Sequence, residues 1–482
     1  MMPWGSVVRL DGGSYLCGAD SLSRGMGYRI IEAIGAPPLS TYPPLQSAVL
    51  SVVYRIQPSY PGNQTLLRCL MVALSTAGLL LVFRALVARG VPLIGAAGLV
   101  VLVATGSTWN SLVWNYMAEP LFLVLVGCLA WWTEPGRLPS LDSSKATRWW
   151  MVLGMLAGLM YLARSAALGI VAGMGLAALA GGWWRRIRAG VGFVVPFAGL
   201  AAIWVSMPKL ASGGYAAYFA SRLEELGGLG GYAMHSAAQA MDQVGCHALL
   251  SLTSDLALNF PHAGVVARSG MTPWAIALGW VAGACGVGLA AVGFVRTRQR
   301  GDAAALAVIL AYLAQLSLWP FAMGPRGAVF LLPWVGAWAW RGWRSLGWTA
   351  HPLPWSALAL AIGVTNGYYA LGFRNQFDGP RSTSLQPVAA WLNRQDRAAV
   401  VSVGPGLDPY DVFASMGRPL LVGEGKAGGR YVPVPQPDVQ PRYVVTTSPT
   451  GKRLSGLPVV FSSPPFLVVE MPPAGRVAET GR

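Results

Sequence analysis

Charged residues are scarce in this chain of 482 residues, where they make up 11% of the sequence. Ordinary soluble domains contain about 25%. Hydrophobic residues reach 54%, and they gather in long runs that a soluble fold could not cover with polar surface. The shortage of charge therefore excludes an ordinary soluble domain. It indicates a polytopic α-helical membrane protein, whose backbone polar groups are satisfied inside its helices.

Cysteine is also sparse, and the five cysteines form no CxxC pair. Three of them lie in apolar runs, where we expect them to serve as packing residues. Residues 1–29 are polar and glycine-rich, unlike a cleavable signal peptide. The net charge of +16 comes from basic residues dispersed between apolar runs. We therefore expect membrane lipids as partners and no nucleic acid.

Ten stretches are apolar enough to cross a bilayer, which takes about 20 residues per helix. The predicted spans lie near 65–88, 92–108, 114–132, 149–163, 166–184, 189–207, 272–295, 303–321, 326–340 and 354–371. Spaced glycine pairs within them predict close helix packing at Gly154/Gly158, Gly169/Gly173 and Gly279/Gly283. No internal repeat relates the two halves, which argues against transporters built from inverted repeats.

Basic residues occupy alternate loops between these spans. The basic loops contain Arg84 and Arg89; Arg137, Lys145 and Arg148; Arg185, Arg186 and Arg188; Arg296, Arg298 and Arg300; and Arg341 and Arg344. The positive-inside rule places them in the cytoplasm. An outer N-terminal segment (1–64), an outer loop (208–271) and an outer tail (372–482) follow from that orientation, with the membrane domain at 65–371.

The tail is predicted to be a small extracytoplasmic α/β domain, because the composition changes near Arg374. A helical stretch is expected at 384–394. Strand-like runs follow at Ala398–Val403, Leu420–Val422, Tyr443–Thr447, Val459–Phe461 and Phe466–Val469.

The outer N-terminal segment contains the first candidate functional residue, Asp11. It opens a stretch that we expect to form an amphipathic helix on the outer membrane surface. Its apolar face would consist of Tyr15, Leu16, Ala19 and Leu22. A second helix is expected at 44–56, after Tyr42 and two prolines. Asp11 would then lie where a lipid-borne substrate presents its head group; alternatively, it caps the helix.

Three further ionisable residues lie at the outer ends of apolar spans. Glu119 begins a span, Arg164 lies in the turn of a short hairpin, and Arg326 precedes another span. An ionisable residue at membrane depth is a functional hypothesis, and Arg binds phosphate through several donors. The alternatives stay open: Glu119 as a solvated helix-start acid, and either arginine reaching to lipid phosphates.

The order of several motifs resembles that of the bacterial GT-C glycosyltransferases. These motifs are DGGSYLCGADSLSRGMGY at 11–28, TYPPLQS at 41–47, NYMAEPLF at 115–122, GLMYLAR at 158–164 and LWPFAMGPRGAVFLLP at 318–333. Together they extend over most of residues 11–340. The likeness is to the protein-mannosyltransferase and aminoarabinose-transferase branch, which uses polyprenyl-phosphate sugars.

The resemblance implies an inverting glycosyltransferase that uses a polyprenyl-phosphate donor and a lipid, glycan or protein acceptor at the outer face. It implies Asp11 as general base, Glu119 and Tyr42 as substrate-orienting residues, and Arg164 and Arg326 as ligands of the donor phosphate. No metal ligand is assigned. A divalent metal is compatible with such a site but not indicated, because Gly12 stands where a second acidic residue often adjoins the Asp.

The sequence departs from the family pattern at its start, since ten residues precede Asp11 where the family has a membrane span. Three explanations stay open: a misassigned start, a truncated gene, or a complete chain whose first span exports the outer N-terminal segment as a reverse anchor. Two other functions stay open, a transporter or lipid flippase and a catalytically degenerate GT-C-like protein. His235, Asp242, His247 and His262 match no standard metal-site spacing.

Overall fold

The fold is taken from a computed structural model. It describes residues 12–33, 36–39, 42–58, 60, 62–105, 107–134, 145–178, 183–207, 228, 230–231, 233–234, 273–299, 301–317, 325–347, 386–395, 401–403, 442–446, 458–463 and 466–470. Helices predominate in this part of the chain, as the apolar runs predict.

Twelve described α-helices lie between residues 12 and 345. They are α1 (Gly12–Ser23), α2 (Leu45–Ile56), α3 (Gln64–Ala88), α4 (Leu93–Thr105), α5 (Ser107–Trp114), α6 (Glu119–Trp132), α7 (Lys145–Ala163), α8 (Leu168–Ala178), α9 (Trp183–Ser206), α10 (Pro273–Arg296), α11 (Asp302–Ser317) and α12 (Leu332–Ser345). Short 3₁₀ helices at Ser165–Ala167 and Pro325–Leu331 precede α8 and α12.

Two of the described helical segments, Gln64–Ala88 and Ile187–Ser206, are long and apolar enough to cross a membrane. Six shorter apolar helices are also present. One of them is α2, and the other five overlap predicted spans. The predicted spans at 92–108 and 114–132 are shorter as helices, because α4 ends at Thr105 and α6 begins at Glu119. The predicted span at 354–371 lies outside the described residues. The number of ten spans therefore stays a prediction.

Glycines allow the helices of the bundle to pack closely in pairs. A side chain added at Gly154 or Gly158 would meet Phe193 or Leu200 of α9, and one at Gly169 would meet the backbone of α11 at Tyr312. These contacts confirm the packing predicted from the first two glycine pairs. The interface of α10 with α12 uses Gly293 and Gly342 in the same way, whereas the side-chain surroundings of Gly279 and Gly283 lie outside the description.

The helix predicted after Asp11 is present as α1, but its burial differs from the expectation of one apolar face. All residues from Gly12 to Ser21 are buried. Gly18 lets Tyr28 and Ser47 approach the face that was expected to be open. The thiol of Cys17 donates a hydrogen bond to Glu32, and burial, with the Glu32 carboxylate, raises the pKa of that thiol. The polar face is therefore covered by α2 and the 28–39 segment.

The tail contains helix α13 (Gln386–Arg394) and four strands, β1 (Val401–Val403), β2 (Tyr443–Thr446), β3 (Val459–Ser463) and β4 (Phe466–Glu470). The sheet order is β1-β2-β4-β3, with β1 parallel to β2 and the other pairs antiparallel. Trp391 of α13 stacks on Phe461 at 5.3 Å between ring centroids. These strands lie in four of the predicted runs, and Leu420–Val422 lies outside the described residues.

The glycine contacts predict opposite effects of two Gly→Ala substitutions on the free energy of unfolding. Gly173→Ala should destabilise the protein by about 1–3 kcal/mol, the usual cost of overpacking, because the added methyl group would press on the backbone of Val308 in α11. Gly199→Ala is the control, since nothing lies within 4 Å of its added carbon and Ala favours a helix. Thermal unfolding in detergent measures both; equal midpoints would contradict the packing account.

Candidate functional site

The corner between α5 and α6 places Glu119. Tyr116 has a left-handed backbone (φ 58°), and its N–H and that of Met117 bond back to Val113 O (3.3 Å) and Leu112 O (3.0 Å). This is the Schellman pattern, in which the left-handed position is usually Gly. A fully buried tyrosine in that conformation costs about 1 kcal/mol or more. The surrounding packing therefore holds this corner in a strained conformation, three residues before Glu119.

Glu119 is the first residue of α6, and it is almost completely buried. Pro120 follows it at the helix start, where its fixed φ suits the first turn. A carboxylate in this first turn is favoured by the partial positive charge of the helix N-terminus. The corner thus delivers a negative charge into the protein interior at one end of α6.

Arg164 provides the opposite charge from the turn between α7 and α8. Its backbone is extended (φ −152°, ψ 130°) because it separates α7 from the 3₁₀ helix Ser165–Ala167. Its Nη1 lies 2.5 Å from Glu119 Oε1, and the exposed fractions of the two side chains are 12% and 1%. Both residues lie at helix ends, and the structure joins them in one buried ion pair.

Two glutamines, the buried Gln46 and the half-buried Gln315, hold the backbone on either side of this pair. Gln315 of α11 donates to Ser165 O at 3.2 Å and accepts a hydrogen bond from the Gly169 N–H, so it holds the turn that follows Arg164. Gln46 of α2 donates to Tyr116 O at 3.1 Å and is fully buried. Sequence reasoning missed both residues, because a single amide in an apolar helix gives no distinctive pattern.

Tyr42 lies in the same N-terminal unit as Gln46. It is buried, and its ring packs on that of Tyr15 with 5.3 Å between centroids. Because α2 begins three residues after Tyr42, the helix connects this tyrosine to the Glu119 corner through Gln46. The structure thus links the predicted N-terminal site segment to the ion pair.

The remaining predicted site residues are described only in part. Asp11 lies outside the described residues, directly before Gly12. The backbone of Arg326 lies in the 3₁₀ helix Pro325–Leu331, but its side chain is outside the description. Phe330 of that element packs edge-on against Phe122 in the first turn of α6, at 4.6 Å between centroids. The element that bears Arg326 therefore packs beside the start of α6.

Metal ligands are not gathered anywhere in the described ranges, where no group of three or more His, Cys, Asp and Glu side chains could hold an ion. His235, Asp242, His247 and His262 lie outside those ranges. The described part of the site contains the carboxylate of Glu119, the guanidinium of Arg164 and the amides of Gln46 and Gln315.

Solved structures match nearly the whole chain. The oligosaccharyltransferase of Archaeoglobus fulgidus in complex with Zn and sulfate matches with a TM-score of 0.54 and 14% identity, over 92% of this chain and 64% of that one. Archaeal AglB from Archaeoglobus fulgidus, with an inhibitory peptide and a dolichol-phosphate, gives 0.52 and 11%, over 92% and 66%. ArnT from Cupriavidus metallidurans bound to undecaprenyl phosphate gives 0.44 and 15%, over 96% and 94%. Neither a protein-family model nor a curated protein matches the sequence.

The two archaeal structures decide the architecture, because their TM-scores exceed 0.5 across almost the entire chain. The protein has the GT-C fold. This confirms the fold that the motif order implied. At 11% and 14% identity the likeness concerns the GT-C fold alone, and the chain spans about two thirds of the archaeal enzymes' length. The activity is therefore argued from the site.

The buried pair predicts strong coupling between Glu119 and Arg164. Glu119→Leu or Arg164→Met alone should lower the free energy of unfolding by about 3 kcal/mol, because each leaves the partner as an uncompensated buried charge. The double variant should recover most of that loss, since an apolar pair of similar volume requires no ion compensation. Thermal unfolding of all four proteins closes the double-mutant cycle.

The exposed pair of Arg442 and Glu470, 3.5 Å apart, is the matched control. Glu470→Gln should change the free energy of unfolding by less than about 1 kcal/mol. Additive effects of the Glu119 and Arg164 variants would contradict the pairing.

Proposed function

We propose that this protein is an inverting membrane glycosyltransferase that transfers a sugar from a polyprenyl-phosphate donor to a lipid, glycan or protein acceptor at the outer face. The observation that carries the proposal is the buried Glu119–Arg164 pair in a GT-C fold. The pair lies where the N-terminal segment and the element bearing Arg326 meet the start of α6. The archaeal enzyme with this fold has dolichol-phosphate bound, which supports a donor of the same chemical class.

The proposed reaction is a single displacement at the anomeric carbon of the sugar. An acceptor hydroxyl forms the new glycosidic C–O bond while the bond from the sugar to the phosphate oxygen breaks. Asp11 accepts the proton of the hydroxyl as general base, and the polyprenyl phosphate leaves with the bonding electron pair. Attack from the face opposite the leaving group inverts the anomeric configuration.

The leaving phosphate is an anion, so the reaction is favoured by cations placed at its oxygens. Arg164 and Arg326 are the proposed cations. The Glu119–Arg164 pair has no net charge. We therefore infer that the main role of Glu119 is to hold the guanidinium of Arg164 in place. Arg326 then contributes the larger share of net positive charge. Tyr42 and Gln46 shape the acceptor side through α2.

Asp11→Asn should abolish sugar transfer while leaving the amount of protein in the membrane unchanged, because asparagine keeps the shape of the side chain but cannot accept the proton. The measurement is mass spectrometry of cell-envelope glycolipids and glycans from a deletion strain that carries each variant. Asp20→Asn in α1 is the control, since Asp20 is paired with Arg24 at 2.6 Å. Full activity of the Asp11 variant would contradict the assignment.

The double variant Glu119→Leu/Arg164→Met separates the structural role of the pair from its functional role. It should fold with nearly normal stability and yet lose transfer by at least about a hundredfold, because mutagenesis of a single electrostatic donor commonly costs about 10²–10³ in rate. Transfer of a radiolabelled sugar by the purified protein measures the loss. Transfer at the wild-type rate would show that the pair has only a structural role. Movement of labelled lipid across the membrane without covalent transfer would favour a flippase.

A further inference from the structure

A second polar site lies at the opposite end of the helices that bear the Glu119–Arg164 pair. Glu119 begins α6, whereas Leu129 and Thr133, near and just past its other end, line a partly open cavity. The cavity is also lined by Trp149 and Trp150 from the start of α7 and by Met174 from the end of α8. About 20 Å of helix separates the two ends, at 1.5 Å per residue. The cavity is therefore distinct from the proposed active site.

Arg89 is the cation of this cavity, and it is buried with 4% of its surface exposed. Its guanidinium donates to Ala85 O (3.2 Å), Ala130 O (2.9 Å) and Thr133 Oγ1 (3.4 Å). It also lies 5.9 Å from the centroid of the Trp334 ring. These acceptors are neutral groups at the ends of α3 and α6, so they orient the guanidinium without cancelling its full charge.

The two nearby carboxylates are each paired with a different arginine. Glu134 lies 3.8 Å from Arg84, and Asp302 lies 2.9 Å from Arg341. Asp302 also accepts hydrogen bonds from the Trp338 indole N–H and the Gln299 N–H. Among the described residues, no carboxylate lies within ion-pair distance of Arg89. The three arginines and two carboxylates of the described residues therefore leave one positive charge in excess.

The position of Arg89 is electrostatically costly in the absence of an anion. Burial lowers the pKa of Arg89 to about 10, although Glu134 and Asp302 raise it. A buried charge without a close counter-ion destabilises a protein. An anion bound beside Arg89 would remove that cost, and the open side of the cavity gives it access.

The walls of the cavity are mainly apolar and aromatic, with the indoles of Trp149, Trp150 and Trp334 among them. Asp302 also lines the cavity, and its carboxylate is paired with Arg341. Tryptophan is enriched where lipid head groups meet the hydrocarbon. The loops at this end contain the basic residues that predict the cytoplasmic side, where anionic lipids attract positive charge. Mainly apolar walls, one carboxylate already paired with Arg341 and the additional cation Arg89 fit an amphiphile with an anionic head.

We propose that this cavity binds an anionic phospholipid, with its phosphate at Arg89 and Thr133 and its apolar part against the tryptophans. The phosphate oxygens would accept charge-assisted hydrogen bonds from the guanidinium. The site supports the bundle from the side opposite the reaction, and it does not depend on the proposed glycosyl transfer.

The test measures lipid retained by the full-length protein after extraction from phosphatidylcholine nanodiscs that contain phosphatidylglycerol. Wild-type protein should retain phosphatidylglycerol in native mass spectra, and Arg89→Gln should lower this retention at least about tenfold, since charge-assisted hydrogen bonds are the strong ones. Arg344→Gln is the matched control, because Arg344 is an exposed arginine at the same end of the bundle. It should retain lipid like the wild type.

A second variant covers the case in which Arg89→Gln fails to fold. Ala177→Leu narrows the cavity and leaves Arg89 unsubstituted, and it should also lower retention of phosphatidylglycerol. Equal retention by either folded variant and the wild type would overturn the proposal. So would equal retention of phosphatidylcholine, or thermal stabilisation by inorganic phosphate equal to that by phosphatidylglycerol, which would identify a free anion as the occupant.

Discussion

The ion pair between Glu119 and Arg164 is the contact on which the proposed site depends. It joins the start of α6 to the turn between α7 and α8, with 2.5 Å between the charged atoms. Removing both ions from water is costly, so the pair is favourable only when the backbone holds both side chains in good geometry. The left-handed Tyr116, the hydrogen bonds of Gln46 and the hydrogen bonds of Gln315 provide that backbone. The strained backbone of Tyr116 and the hydrogen bonds of both glutamines thus all lie next to the Glu119–Arg164 pair.

The buried charged residues of the described helices lie at the two ends of the bundle. At one end lie Glu119, Arg164 and the elements bearing Tyr42 and Arg326. At the other end lie the cavity of Arg89 and the pair of Asp302 and Arg341. Between the ends the contacts are mainly apolar, and glycines such as Gly158 bring the helices together. This arrangement is expected of helices in a bilayer, where charge is tolerated mainly at the ends or in protein-lined cavities.

The sequence predicts the architecture well where local pattern determines it. The apolar runs indicate most of the described helices, and the alternating and β-branched runs of the tail coincide with its strands. The GT-C resemblance was carried by motif order, and the structural matches confirm it at the level of the fold.

Contacts between distant segments could not be predicted in the same way. Glu119 and Arg164 were each predicted at an outer end, but 45 positions separate them in the chain, and no periodicity connects them. Arg89 and Arg341 belong to loops that the positive-inside rule treats as cytoplasmic, yet both side chains are buried. The burial of both faces of α1 could not be predicted either. It depends on α2 and the 28–39 segment, which the sequence of α1 does not specify.

The central claim is that the site consumes a polyprenyl-phosphate sugar. The most direct measurement follows free polyprenyl phosphate by mass spectrometry when purified protein in proteoliposomes is given such a donor and extracted envelope lipids as acceptor. The account predicts that polyprenyl phosphate is released only when protein, donor and acceptor are all present, with one product glycoside formed for each donor lost. Intact donor in every reaction, merely redistributed between the two leaflets, would contradict it.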